Sequence, residues 1–337
     1  MHKITWKRAA SDRGRVLRQP LGLLLAVTTS FVGALAGESV AQEKSGRQAI
    51  ECRWDLTLHG PDATSYPSWL EVRRSGNSSL VGTFVGRFGS ARPIGKVEFD
   101  GTRLRFQIPP QWEKRDSDLE FEGTLAEDHT LAGVTVDEAG QRVTWIGRSA
   151  PNLKRSGEIK WGETIELFNQ KDLSGWQPLM ADVPNGWEVR DGLLVNARPG
   201  NNLRTERTFE DFRLVAEFRY PQGSNSGIYL RGRYELQIED NYGQEAECHK
   251  IGGVYGFLTP SINAAKPAGE WQTYEVELVG RTITIYLNGE RVVDRQDIPG
   301  ITGGAIDSDE GTPGPLYLQG DHGPIEFRRV SITVPAP

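Results

Sequence analysis

The chain has 337 residues, with 39 Lys and Arg against 45 Asp and Glu, 39 Gly, 19 Pro, nine Trp and two Cys. A formal net charge of −6 argues against a nucleic-acid partner, whose phosphates require a basic surface. A hydrophobic share of 37% supports packed cores and excludes a disordered chain; two Cys exclude a disulfide framework and a four-thiolate zinc site.

Residues 1–20 hold six Lys or Arg and one acid, Asp12. An apolar run follows from Leu21 to Ala36, then the small-residue site Ser39-Val40-Ala41. This order predicts a secretory signal over 1–41. The run is shorter than the roughly 20 residues of a membrane span. The expectation is an exported protein, periplasmic or secreted, that is not integral to a membrane once the signal is removed. Losing six basic and two acidic residues with the signal moves the formal charge from −6 to −10.

Alternating segments predict eight strands at Arg53–His59, Trp69–Arg74, Leu80–Phe88, Gly95–Phe99, Arg103–Ile108, Glu120–Leu125, Thr130–Val136 and Arg142–Gly147. Short turns between neighbours suggest an up-and-down meander closed into a small barrel over 50–148, loosely like the small lipocalin-like barrels. Trp54, Trp69, Trp112 and Trp145 read as core or rim rings rather than a ligand cup. Residues 149–159 are polar, contain Pro151 and lack alternation, so they read as a linker.

Twelve further strands are predicted over 160–335, at Glu163–Phe168, Trp187–Val189, Leu193–Ala197, Arg213–Tyr220, Ser226–Arg231, Tyr234–Glu239, Gly253–Phe257, Gln272–Val279, Thr282–Leu287, Glu290–Asp294, Pro315–Gln319 and Ile325–Val334. Asn288-Gly289 is the strongest hairpin signal among them. So many strands need two sheets face to face, a jelly-roll-like sandwich. The fold class is all-β. Cys52 and Cys248 fall in different predicted domains and read as two buried free thiols.

The most informative segment is Asn225 to Asp240. Leu236 and Ile238 point one way; Glu235, Gln237 and Glu239 point the other. On its own such a row fits a solvated outer face as well as a site. Tyr229 and Arg231 on the preceding strand raise the second reading, and Asp240 could turn inward at a bulge. His322, between Asp321 and Gly323, can exchange a proton near neutrality, and the adjacent carboxylate would raise its basicity. Lys266 offers a cation, while Trp271 reads as a core ring. Asp307-Ser-Asp309-Glu310 reads as an acidic surface loop rather than a metal site. No glycine-rich fingerprint suggests a nucleotide, and no cofactor is expected.

Residues 163–334 resemble the 3-keto-disaccharide hydrolase family, which has a concanavalin A-like lectin/glucanase fold. The resemblance rests on Leu167-Phe-Asn-Gln-Lys-Asp-Leu-Ser-Gly-Trp176, Trp187-Glu-Val-Arg-Asp-Gly-Leu-Leu194, Asn225-Ser-Gly-Ile-Tyr-Leu-Arg231, Tyr234-Glu-Leu-Gln-Ile-Glu-Asp240, Lys266-Pro-Ala-Gly-Glu-Trp271, Leu287-Asn-Gly289 and Leu318-Gln-Gly-Asp-His-Gly-Pro324. One departure is Gln272, where the family usually has Asn. The resemblance implies a carbohydrate substrate oxidised to a ketone at C3, cleaved by removal of the C2 proton, elimination and hydration. It implies Glu235, His322 and Asp240 as the acid/base groups, with the base left open between Glu235 and His322. Arg231, Gln237, Tyr229, Lys266 and Asp321 would bind substrate. Two rivals stand beside it: a non-catalytic lectin-like protein, and a glucanase-type direct hydrolase, whose E-x-D-x-x-E run is absent.

Overall fold

In a computed structural model the described residues are 49–337 apart from Asp62 and Glu138; the predicted signal segment lies outside them. β1 (Arg53–His59), β2 (Ser65–Ser75), β3 (Ser79–Val85), β4 (Arg92–Phe99), β5 (Arg103–Ile108), β6 (Leu119–Leu125), β7 (Leu131–Val136) and β8 (Arg142–Ser149) each pair antiparallel with the next. β8 then closes on β1, giving a barrel without a free edge. The alternation that predicted the strands sets their faces. In β5, Leu104, Phe106 and Ile108 are buried while Arg103, Arg105 and Gln107 are exposed. Trp54 and Trp145 belong to the barrel core, and Trp112 is exposed at its rim. Trp69 instead joins the core of the second half of the chain.

That half contains β9 (Trp161–Glu166), β10 (Trp176–Pro178), β11 (Trp187–Arg190), β12 (Leu193–Asn196), β13 (Leu203–Phe209), β14 (Phe212–Arg219), β15 (Asn225–Leu230), β16 (Tyr234–Glu239), β17 (Gln272–Val279), β18 (Thr282–Leu287), β19 (Glu290–Asp297), β20 (Gly314–Leu318) and β21 (Ile325–Pro335). They form a five-stranded sheet, β10-β13-β20-β15-β16, and an eight-stranded sheet, β11-β12-β21-β14-β17-β18-β19 with β9 on β21. The apolar faces of the two sheets enclose one core. Asn288 and Gly289 both have positive φ, 55° and 86°, as a two-residue hairpin between β18 and β19 requires.

Three details differ from expectation. β10 is only three residues long, and β13 carries a bulge between Arg204 and Thr208 that interrupts its alternation, so neither has a clear strand signal. Gly253–Phe257 is not a strand: the amides of Phe257 and Leu258 turn back onto the Val254 carbonyl. Cys52 and Cys248 are free, and both are half-buried rather than buried.

The barrel packs directly on the sandwich. Trp69 meets the edge of Phe257 at a ring separation of 5.5 Å, and any Cβ at Gly300 would overlap its indole. A buried polar clamp lies at the same junction. Glu310 is fully buried and accepts Arg281 Nη2 at 2.7 Å and Nε at 2.9 Å, while Arg281 Nη1 donates to the Pro151 carbonyl at 2.9 Å. Glu310 thus departs from the expected acidic surface loop. Burial and the neighbouring Glu310 push the Asp55 carboxyl on β1 up to about 9, so it carries a proton at neutral pH.

Candidate active site

Three neighbouring strands of the five-stranded sheet, β20, β15 and the edge strand β16, put Glu235, Tyr229 and Tyr317 in one cross-strand row, because Tyr229 pairs with both Glu235 and Tyr317. Two residues along lies a second row, Gln237 opposite Gly227, with the Gln319 amide donating to the Gly227 carbonyl at 2.9 Å. Leu236 and Ile238 face the core, so Glu235 and Gln237 share the other face. That face is not solvated: Glu235 is 4% exposed and Gln237 2%. Both rows line a cleft of about 460 Å³. Glycine at 227 is required by close approach, since a Cβ there would stand 2.8 Å from Glu235 Oε1.

The cleft has three walls. The first is Gly303–Ile306, whose Gly303 and Gly304 carbonyls accept the hydroxyls of Tyr229 at 2.8 Å and Tyr317 at 3.0 Å. The second is the turn after β20. There Asn202 Oδ1 accepts the Gly320 amide at 2.7 Å and the Asp321 amide at 3.3 Å, which holds His322 over the cleft. The third comes from the barrel: Tyr66, Arg87 and Phe88. The Arg87 carbonyl accepts the Gly304 amide at 2.9 Å and ties the first wall to the third.

Burial raises the Glu235 carboxyl to about 8, against the bonds from Tyr229 Oη at 2.9 Å and Gln319 Nε2 at 3.4 Å, which favour its ionised form. Glu235 therefore holds a proton at neutral pH. Burial and the Glu235 charge keep the Tyr229 phenol protonated far above neutrality. His322 Nδ1 lies 2.7 Å from Asp321 Oδ1, and that hydrogen bond raises the imidazole above its ordinary value. Burial alone would raise Asp321, but the bond to His322 outweighs it and holds the carboxyl below its ordinary value. The pair orients His322 through Nδ1 and leaves Nε2 for a ligand. Gln237 is oriented too: its Oε1 accepts the Ile238 amide at 2.8 Å.

The structure brings Glu235, Gln237, Tyr229, Asp321 and His322 together and leaves three predicted residues elsewhere. Arg231 follows β15 in a left-handed conformation, φ 52°, which breaks the alternation with Tyr229. Its buried guanidinium donates to Tyr234 Oη at 2.8 Å and to the Gly280 carbonyl at 3.1 Å. Asp240 accepts the Gly223 amide at 2.8 Å in a turn and does not line the cleft. Lys266 is exposed, with Nζ 3.2 Å from the Trp271 carbonyl. Trp271 is half-buried on the outer face, with the guanidinium carbons of Arg219 and Arg328 at 4.8 and 4.5 Å from its ring, rather than a core ring. Gln272, the departure from the family pattern, clamps the Lys266 backbone through both its amide atoms at 2.9 and 2.8 Å.

Sequence reasoning left out Tyr317, Gln319, Asn202, Tyr255 and Arg87, all of which line the cleft. Tyr317 and Gln319 alternate with Leu316 and Leu318, the same signal that marked Glu235 and Gln237. Arg87 has no such signal, because it arrives from the barrel. Among the described residues, no three His, Cys, Asp or Glu side chains converge as metal ligands. No helix there is long and apolar enough to cross a membrane.

The family model of the 3-keto-alpha-glucoside-1,2-lyase-like domain matches residues 163–333. A curated relative, the 3-keto-disaccharide hydrolase of Bacteroides thetaiotaomicron, is 23% identical over 167 residues. That match covers 39% of this chain and 57% of the relative, so the chain spans little more than half of the relative's length. Among solved structures, a candidate glycosyl hydrolase of Parabacteroides distasonis aligns at 27% identity and a TM-score of 0.42, over 55% of this chain and 94% of that one. A non-specific endo-β-1,3(4)-glucanase of family GH16 aligns at 12% identity and a TM-score of 0.35, over 55% and 95%. The family match takes in both sheets, the Glu235 row and the His322 turn, and the chain belongs to the family of 3-keto-alpha-glucoside-1,2-lyase-like domains.

Proposed function

We propose that this protein is an exported carbohydrate-active enzyme that cleaves glycosides bearing a ketone at C3. The observation that carries the reading is a buried Glu235 and an Asp321-oriented His322 lining one cleft. Family membership and the name of the Bacteroides relative support the substrate class. The basic and apolar segments at the N-terminus support export.

The two acid/base groups take different roles by their protonation. A 3-ketone acidifies the proton on C2. Neutral His322 removes it through Nε2, forming an enolate. The enolate expels the C1 oxygen, which takes the proton of Glu235. Water then adds to C1 of the enone, giving its proton to ionised Glu235, while His322, whose Nε2 proton has exchanged with solvent at the enone stage, protonates C2. Both groups end as they began. The amides of Gln237 and Gln319 and the Arg87 guanidinium are donors for the enolate oxygen. Direct hydrolysis by two carboxylates is less well supported, since Asp321 is already engaged with His322.

The experiment is a paired incubation with a 3-keto-glucoside and its unoxidised parent. Cleavage of the keto compound alone is expected. Equal cleavage of both contradicts the keto requirement. Cleavage of neither, with sugar binding retained, makes the protein a lectin.

A further inference from the structure

The barrel has a cavity of its own. The end where β1, β3, β5 and β7 finish and the even strands begin is open, and the space there is about 350 Å³. Its wall is largely apolar, with Phe84, Ile108, Leu119, Phe121, Val136 and Val143. The rings of Trp54 and Trp145 belong to the core of the same barrel and do not line this space. An eight-stranded barrel is just wide enough to be filled by side chains or to hold one small ligand.

Two observations connect this cavity to chemistry. First, Tyr66, Arg87 and Phe88 line both the barrel cavity and the Glu235 cleft. The Arg87 guanidinium carbon lies 5.5 Å from the Tyr66 ring centre and 5.0 Å from that of Phe88, so the shared wall is an aromatic pair with a cation between. Second, the cavity has a built polar group. Arg92 is 4% exposed, its Nη1 holds Glu113 at 3.0 Å, and its buried Nε has no partner among the described residues.

We infer that the barrel mouth is the leaving-group subsite of the Glu235 cleft, and that it takes an apolar aromatic aglycone rather than a second sugar. This rests on the function proposed above. The keto sugar occupies the polar cleft against Glu235 and His322. The glycosidic bond lies at the wall formed by Tyr66, Arg87 and Phe88. The aglycone enters a space whose wall is largely apolar, with Phe84, Ile108, Leu119 and Phe121 against its rings and the Arg92–Glu113 pair in the lining. A cavity of about 150 Å³ suffices for benzene, so the barrel space accepts one or two fused rings.

The test uses the full mature chain and three probes: 4-nitrophenyl 3-keto-glucoside, methyl 3-keto-glucoside and free 1-naphthol. The aryl glycoside is expected to show a KM at least about tenfold below that of the methyl glycoside, from apolar area buried in the barrel. 1-Naphthol should bind and quench Trp112, the exposed ring at the cavity rim. Val136→Trp fills the mouth from a half-buried position; it should raise the aryl KM about tenfold, leave the methyl KM within about twofold, and abolish naphthol binding. Phe88→Ala, at an exposed position, should weaken naphthol binding even if the first variant folds poorly. Equal KM values for the two glycosides, or naphthol binding that neither substitution alters, overturns the subsite while leaving the proposed function intact. Cleavage of neither glycoside by wild type overturns the function and the aglycone assignment with it, even if naphthol binds.

Discussion

Tyr229 lies directly across from Glu235 in the β15–β16 pairing, and its hydroxyl stands 2.9 Å from the buried carboxyl and 2.8 Å from the Gly303 carbonyl. One phenolic proton faces two acceptors. When Glu235 is protonated, the carboxyl donates to the phenol oxygen and the phenol proton goes to Gly303. When Glu235 ionises, the phenol turns to the carboxylate and Gly303 loses its donor. The charge on Glu235 is thereby coupled to the loop that walls the cleft.

The pH dependence follows. Activity needs Glu235 protonated and His322 neutral, so kcat/KM against pH is bell-shaped. The alkaline limb falls near pH 8, where Glu235 loses its proton. The acid limb lies above the ordinary histidine value because Asp321 raises His322. Asp321→Asn should shift the acid limb downward. Tyr229→Phe removes a donor to the ionised carboxyl and should shift the alkaline limb upward. Initial rates across pH 5 to 10, a window chosen to span both limbs, check both signs.

Glu235→Gln should lower kcat by about 10²–10⁴, the usual contribution of a general acid, with a smaller effect on KM. The same substitution should stabilise the fold at high pH. Glu235 has its carboxyl raised on folding, so its contribution to stability is complete below the unfolded value of 4.5 and is lost as pH rises toward 8. The variant escapes that loss, worth at most about 5 kcal/mol. Its melting temperature should match wild type near pH 5 and exceed it near pH 9, and equal differences at both would contradict the burial argument.

Gly227→Ala places a methyl group 2.8 Å from Glu235 Oε1. Either the carboxyl or the strand must yield. The expected cost is about 1–3 kcal/mol of stability. The accompanying fall in kcat should exceed the fall seen for Gly95→Ala, where nothing stands within 4 Å. Denaturant melts and steady-state kinetics on the pair make the comparison.

At the barrel–sandwich junction, Asp55 and Glu310 should respond differently to amidation. Asp55 carries a proton at neutral pH, so Asp55→Asn changes little charge and should cost less than about 1 kcal/mol. Glu310 is ionised against Arg281, its burial outweighed by that ion pair. Glu310→Gln leaves a buried guanidinium without its partner and should cost about 3–5 kcal/mol. Chemical denaturation at pH 7 of the two variants reads the contrast.

Much of the fold is legible in the alternation of side chains. Arg103–Ile108, Tyr234–Glu239, Gln272–Val279 and Thr282–Leu287 run between the same residues in sequence and structure. Where a bulge interrupts the pattern, as in β13, the strand is invisible. The site divides along the same line. Glu235 and Gln237 announce themselves because polar side chains alternate with core Leu236 and Ile238. Arg231 misleads because a positive φ, not readable from its neighbours, turns it out of register with Tyr229. Glu310 misleads because an acidic run gives no hint of Arg281 waiting across the fold. Arg87 and Phe88 belong to the cleft only through the packing of two β units, a long-range fact absent from local pattern.

The most direct measurement is deuterium content at C2 of the released sugar. A 3-keto-glucoside is cleaved in D2O at low conversion, and an enzyme-free sample of the keto product is held alongside. Elimination and hydration predict one deuterium at C2 in the enzymic product above that control, with incorporation and cleavage lost together in His322→Asn. Release of a sugar with undeuterated C2 at full rate would mean that no solvent-exchanged proton reaches C2 from His322, and would contradict the account.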